Sequence, residues 1–219
     1  MSSINPHFTF NYSQPEDYRF SHDSVFLARR VFELYRNVPL ENLHGLDLCS
    51  GCGVIGLDFL FHCNNETQKS FRKFDFLEVQ NVYAEHFSIN VERLGFIPTE
   101  LKFLNQNYAD LLSKNFADTY DLILCNPPYF HQGQGKLSPS EFKNRCRFFL
   151  DSDFKSLLLG IAHALKPEGQ AYVLLRDQKE HGWNSFEEAR KILSDMHLEK
   201  LEDIRGTDLV KITKAPRKT

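Results

Sequence analysis

Nowhere does the 219-residue chain hold an apolar run near the roughly 18 residues of a membrane-spanning helix, so no such span is expected. It also lacks a basic excess. A formal net charge of -3 supplies no global field for nucleic acid, so such a partner would need a local patch. Metal chemistry has little to build on. Cys49-Ser-Gly-Cys52 forms a C-x-x-C, but no second cysteine or histidine pair stands at ligand spacing, and small buried thiols are the favoured reading. No metal is expected. The five cysteines are odd in number, and Met1 to Pro6 lacks the basic and apolar regions of a signal peptide. A reducing compartment, the cytoplasm, is therefore expected. Repeats and low-complexity linkers are absent too, which favours one domain, residues 41–219, behind an N-terminal extension of residues 1–40.

What is present suits a folded α/β protein. The chain is 42% hydrophobic, enough for one substantial core, and its twenty phenylalanines predict a Phe-rich one. Short apolar runs predict strands at 46–49, 74–78, 101–105, 120–125 and 170–175, with two more at 198–204 and 209–213. Helical spacing predicts helices near 23–37, 54–62, 80–94, 151–165 and 185–196, and a short one at 109–114. Ser21 or Asp23 is expected to cap the first. The polar stretch 63–72 reads as a surface insertion, 129–150 as a loop, and Lys166-Pro-Glu-Gly169 as the stop of a helix. This β-α alternation predicts a Rossmann-like α/β fold: a seven-stranded, mostly parallel sheet with helices on both faces.

Two stretches carry chemistry. In Asp47-Leu-Cys-Ser-Gly-Cys-Gly53, a strand ends in a turn whose glycines let the backbone approach a ligand. Taken alone, it could equally be a tight strand-to-helix turn. Glu78, ending the next strand, stands where an adjacent strand would set a carboxylate against ribose hydroxyls. Further on, Asn126-Pro-Pro-Tyr-Phe130 stops a buried strand, because two prolines lack donors and force an extended backbone. The result is a rigid shelf with an amide, an unpaired carbonyl at Pro127 and two aromatic faces. It suits a flat group bearing an amine, whether adenine, guanine or a carboxamide.

These motifs in this order resemble the class I S-adenosylmethionine-dependent methyltransferases that methylate amino groups. Gln14-Pro-x-x-Tyr-Arg-Phe-Ser-x-Asp-Ser-Val-x-Leu-Ala28, Glu78-Val-Gln80 and Asn126-Pro-Pro-Tyr-Phe-x-x-Gly133 resemble, more narrowly, the bacterial family that methylates adenine N6 beside the anticodon of valine tRNA. The resemblance covers roughly residues 8–175. It implies S-adenosylmethionine as cofactor, with Ser50, Gly51 and Gly53 along its methionine and ribose, Asp47 ordering the turn, and Glu78 on the ribose hydroxyls. Val79 or Gln80 would flank the adenine, and Asn107 would stand where the superfamily often has an aspartate on the adenine amine. Asn126, with Pro127, Pro128 and Tyr129, would be catalytic, and Asn126 would also border the cofactor. Tyr129 and Phe130 would stack on the substrate base, and Arg19 and Asp23 would fall in a segment that covers the site.

For RNA contact the local cations are Lys136, Lys143, Arg145 and Arg147 after the shelf, and Lys211, Lys214, Arg217 and Lys218 toward the end. His131 reads as an ordinary rim residue. The expectation is an N6-adenine methyltransferase acting on tRNA as a monomer. The alternatives are transfer to a protein glutamine amide or to an rRNA or DNA base, and a non-catalytic cofactor- or RNA-binding scaffold.

Overall fold

A computed structural model describes residues 11–134 and 136–214. Residues 8–10 of the expected N-terminal extended piece, and Arg217 and Lys218, lie outside it. Among the described residues the strands are β1 (His44–Leu48), β2 (Lys73–Leu77), β3 (Glu100–Leu104), β4 (Tyr120–Cys125), β5 (Leu165–Leu175), β6 (Met196–Asp203) and β7 (Asp208–Lys214). They form one sheet in the order β3-β2-β1-β4-β5-β7-β6. Neighbours from β3 to β5 pair in parallel, while β7 runs antiparallel to β5 and to β6. The strand order reverses between β1 and β4, and open α/β sheets bind ligands in the crevice beyond the strand ends at such a point.

The helices are α1 (His22–Tyr35), α2 (Val54–Thr67), α3 (Tyr83–Leu94), α4 (Glu141–Arg147), α5 (Phe154–Ala164) and α6 (Ser185–Ile192). Two apolar clusters cover the two faces of the sheet. One gathers α1, α2 and α3, with buried Leu27, Phe32, Phe59 and Phe87; the other gathers α5 and α6, with Leu157, Leu158, Ile161 and Ala189. Phenylalanines dominate the first. The rings of Phe59, Phe71, Phe74, Phe76, Phe87 and Phe103 pass contact from one to the next at centroid separations of 4.7 to 5.7 Å. Tilted and edge-on pairs at such distances add to the burial of the rings themselves.

Three expectations need correction. Residues 129–150 are not all loop: α4 lies inside them, with Ser140 as its N-cap accepting from the Lys143 N–H. The stretch 63–72 is not a surface insertion, since α2 runs on to Thr67 and both Cys63 and Phe71 are buried. Lys166-Pro-Glu-Gly169 does not form a stop between helix and strand, because α5 passes directly into β5 at Leu165. Pro167 holds Lys166 extended, and Lys166 Nζ reaches Asp121 Oδ2 at 2.7 Å, which draws the chain onto β4 at once. At α1, Ser21 takes the N-cap position without a side-chain bond, and Asp23 lies within the first turn.

Candidate active site

The strand ends at the reversal point open on a cavity of about 300 Å³. Its floor is the turn between β1 and α2. Gly51 (φ +53°) and Gly53 (φ +84°) both occupy the left-handed region that favours glycine. A Cβ on Gly53 would also come within 2.8 Å of the Phe87 ring. Asp47 is fully buried beneath the turn, where its Oδ2 accepts the Gly56 N–H at 2.8 Å. Burial pushes its carboxyl up to about 8, with Glu78 adding to the rise against the Gly56 bond. Asp47 thus ties the turn to the start of α2 and does not line the cavity.

Glu78 does line it. Its Oε2 accepts the Gly51 N–H at 3.0 Å and its Oε1 the Gln80 N–H at 2.8 Å, so the glycine turn and the end of β2 fix the carboxylate together. Burial raises its pKa to about 7 in spite of those two bonds; Asp151 pushes it further up and Arg145 pulls it down. Ser50, Val79 and Gln80 line the same wall, and the buried Ser50 hydroxyl has no hydrogen-bond partner among the described residues. A turn with left-handed glycines, an aimed carboxylate and an unsatisfied hydroxyl fit a nucleoside joined to a polar chain. These residues therefore suit S-adenosylmethionine.

Across the cavity stands the shelf. Asn126 donates from Nδ2 to the Ser24 Oγ at 2.9 Å, and its Oδ1 accepts the Tyr129 hydroxyl. Pro127, Pro128, Tyr129 and Phe130 line the same side. The backbone N–H groups of Tyr129 and Phe130 both donate to the Arg147 carbonyl at 3.0 Å, and Phe130 bridges to Phe148, so the segment around α4 holds the shelf. The Tyr129 phenol lies above its usual range, because burial and Asp23 outweigh the nearby Arg176. It is therefore a proton donor toward Asn126 rather than a base.

The remaining predicted residues are placed less simply. Asn107 does not reach the cavity. Its Oδ1 accepts the Ala109 N–H at 2.9 Å, its Nδ2 donates to the Asp151 carbonyl at 2.8 Å, and with Asp110 it forms a capping box on the 3-10 turn Tyr108–Leu112. The amide is consumed by structure, and Tyr108 meets the cavity instead. Arg145 lines the cavity near Glu78 but is committed to Asp151 by bonds of 2.6 and 2.9 Å. Arg147 reaches the rim, where its guanidinium lies 5.2 Å from the Phe130 ring centroid. Lys136 is exposed, and neither it nor Lys143 lines the cavity. Lys211 lies on β7, and Lys214 pairs with Asp118. His131 packs among Phe149, Phe154 and Trp183.

Several residues at or beside the site had no individual role assigned from sequence. Ser24 belongs to the first turn of α1, and Asp23 beside it lines the cavity while pairing with Arg205 at 3.4 Å. Asn90, fully buried in α3, donates to the carbonyls of Cys52 and Ser13 at 2.9 Å, tying the segment before α1 to the glycine turn. Gln14, Tyr18 and Phe20 of that segment line the cavity. Cys146 of α4 meets Gln80 Nε2 at 3.3 Å and the Tyr83 hydroxyl at 3.4 Å. The five cysteines are free thiols, and among the described residues no group of three His, Cys, Asp or Glu side chains could hold a metal ion. No helix among them is long and apolar enough to cross a membrane.

The sheet order with a reversed β7, the glycine turn and the acid ending β2 define the class I S-adenosylmethionine-dependent methyltransferase fold. Solved structures agree on that fold. TrmN from Thermus thermophilus superposes with a TM-score of 0.57 at 16% identity, covering 87% of this chain and 49% of its own. Precorrin-6y C5,15-methyltransferase from Geobacter metallireducens gives 0.55 at 11% identity, covering 93% and 94%. Residues 19–152 match the family described as the methyltransferase small domain, and the chain belongs to that family. Among similar curated proteins is the tRNA1(Val) (adenine(37)-N6)-methyltransferase of Shewanella putrefaciens, 28% identical over 180 residues, spanning 78% of this chain and 66% of that protein. Another is the ribosomal protein uL3 glutamine methyltransferase of Neisseria meningitidis, 28% identical over 133 residues, spanning 58% of this chain and 40% of that protein. The chain thus spans about two thirds of the first relative's length and less of the second's.

Proposed function

We propose that this protein is an S-adenosylmethionine-dependent N-methyltransferase whose substrate is an adenine N6 amine in tRNA, near the anticodon. The observation that carries the reading is the Asn126 carboxamide, whose nitrogen is held by Ser24 and whose residue lines the same cavity as Glu78. In this reading Glu78 accepts the ribose hydroxyls, Ser50 and Gly51 border the methionine side, and Val79 and Gln80 border the adenine. The cofactor supplies an electrophilic methyl sulfonium. Residues 1–40 act as a cover: Gln14, Tyr18 and Phe20 support this by lining the cavity.

The exocyclic amine of adenine is a poor nucleophile because its lone pair is delocalised into the ring. Asn126 Oδ1 and the Pro127 carbonyl would accept its two hydrogens, favouring a pyramidal nitrogen and stabilising positive charge as it develops. An amide oxygen has two lone pairs, so Asn126 can keep the Tyr129 hydroxyl and still accept from substrate. The rings of Tyr129 and Phe130 would aim the base, which must first leave its own stack, a step favoured in a single-stranded loop.

Transfer to a glutamine amide is the second reading, since the shelf fits a carboxamide and one similar protein is named for that reaction. Incubating the protein with methyl-labelled S-adenosylmethionine and separate pools of tRNA, rRNA, DNA and protein distinguishes the two. Label in N6-methyladenosine from tRNA is expected. Label in glutamine, or none in N6-methyladenosine, overturns the reading.

A further inference from the structure

Several arginines are neutralised within the fold. Arg29 and Arg36 pair with Glu66, Arg30 with Glu202, Arg145 with Asp151 and Arg205 with Asp23. Two rim arginines are different. Arg147, at the end of α4, and Arg176, just past β5, both line the cavity, and neither has a carboxylate within ion-pair distance among the described residues. Each lies by an aromatic ring instead: Arg147 is 5.2 Å from the Phe130 centroid and Arg176 is 5.6 Å from that of Tyr129. Nothing in the sequence marks Arg176, because it stands alone 46 residues beyond Phe130 and reaches the shelf only through the pairing of β4 with β5.

A guanidinium resting by an aromatic face keeps its N–H edge free, and that edge matches a phosphate bidentately. The two rings belong to consecutive residues of the shelf, so both cations stand beside the segment that would receive the base. In a chain of net charge -3 such a pair has a local purpose. We propose that Arg147 and Arg176 hold the phosphates on either side of the nucleotide whose base enters the shelf. This pair selects a nucleic acid strand over a peptide amide, which would bring no phosphate to either guanidinium. The inference rests on the methyltransferase reading and extends it to the substrate class.

The test measures affinity for an unmodified tRNA transcript across a salt series, using wild type, Arg147→Met, Arg176→Met and the double variant. Methionine keeps an apolar stem against the ring while removing the charge, and S-adenosylmethionine affinity reports an intact fold. Loss of one phosphate contact lowers the slope of log affinity against log salt by about 0.7 to 0.9. Each single variant is expected to show that drop and the double variant about twice it, with Arg176→Lys recovering much of the slope. A double variant with wild-type slope overturns the clamp while leaving the methyltransferase reading intact. A wild-type protein that binds no RNA and labels a protein glutamine overturns both.

Discussion

Ser24, in the first turn of α1, binds the amide nitrogen of Asn126 at 2.9 Å across 102 residues of sequence. Without a partner on that nitrogen, the carboxamide could turn and present a donor where the reaction needs an acceptor. Ser24 is thus a positioning residue. Ser24→Ala should lower kcat about fivefold, the equivalent of one ordinary hydrogen bond of roughly 1 kcal/mol, with S-adenosylmethionine affinity unchanged. Ser24→Thr should recover most of the rate. Steady-state kinetics beside cofactor titrations check this; an equal loss in cofactor affinity would make the serine's role purely structural.

Glu78 predicts a pH dependence of cofactor binding. Its pKa is raised to about 7 by burial, so the fraction ionised climbs through neutrality. An ionised carboxylate can accept two ribose hydroxyls, whereas the protonated form loses acceptor capacity. Affinity for S-adenosylmethionine should therefore tighten by up to about tenfold from pH 6 to pH 8. Calorimetric titrations should show weaker binding and loss of most of that slope in Glu78→Gln. Asp47, raised to about 8, remains in the variant, so an undiminished slope there would assign the dependence elsewhere.

At the opposite end of the sheet, Asp75 accepts from the Tyr120 hydroxyl at 3.0 Å and contacts His44 Nε2 at 2.9 Å. Burial raises its pKa, but His44, Lys73 and Tyr120 together outweigh burial and hold it below the ordinary value of 3.8. A depressed carboxylate contributes stability above its unfolded pKa that is lost as pH falls through the folded one. Denaturant midpoints should thus fall on acidification below about pH 4, and less steeply in Asp75→Asn. Equal steepness in the two proteins would contradict this.

Arg145 yields the opposite expectation from its neighbour Arg147. Because it is bound to Asp151 beside Glu78, Arg145→Ala should weaken S-adenosylmethionine binding a few-fold, on the order of 1 kcal/mol for a partly exposed pair. The salt slope of RNA binding should not change. A slope reduced as much as in Arg147→Met would place Arg145 in the RNA interface after all.

Much of this site is readable from sequence because its chemistry is local. Tyr120–Cys125 is a continuous apolar run that two prolines must end, so strand, stop and shelf follow from one stretch. The glycine turn and Glu78 follow from strand ends. α4 is hidden because seven mostly polar residues have no apolar period, leaving only the Ser140 cap as a cue. Asn107 is misread although its cap is local, since Asn107 and Asp110 have capping-box spacing that outweighs a ligand role. Ser24, Asn90 and Arg176 act across distant segments, and only the fold brings them to the cavity.

In the proposed reaction Asn126 acts on the amine, with little part in holding the cofactor. Asn126→Ala measures it directly, by methyl transfer from labelled S-adenosylmethionine to tRNA alongside the dissociation constant of the cofactor. Transfer should fall by at least a hundredfold, as for removal of a group that stabilises developing charge, with cofactor affinity changed far less. Loss of cofactor binding to the same degree, or transfer that persists, would contradict it.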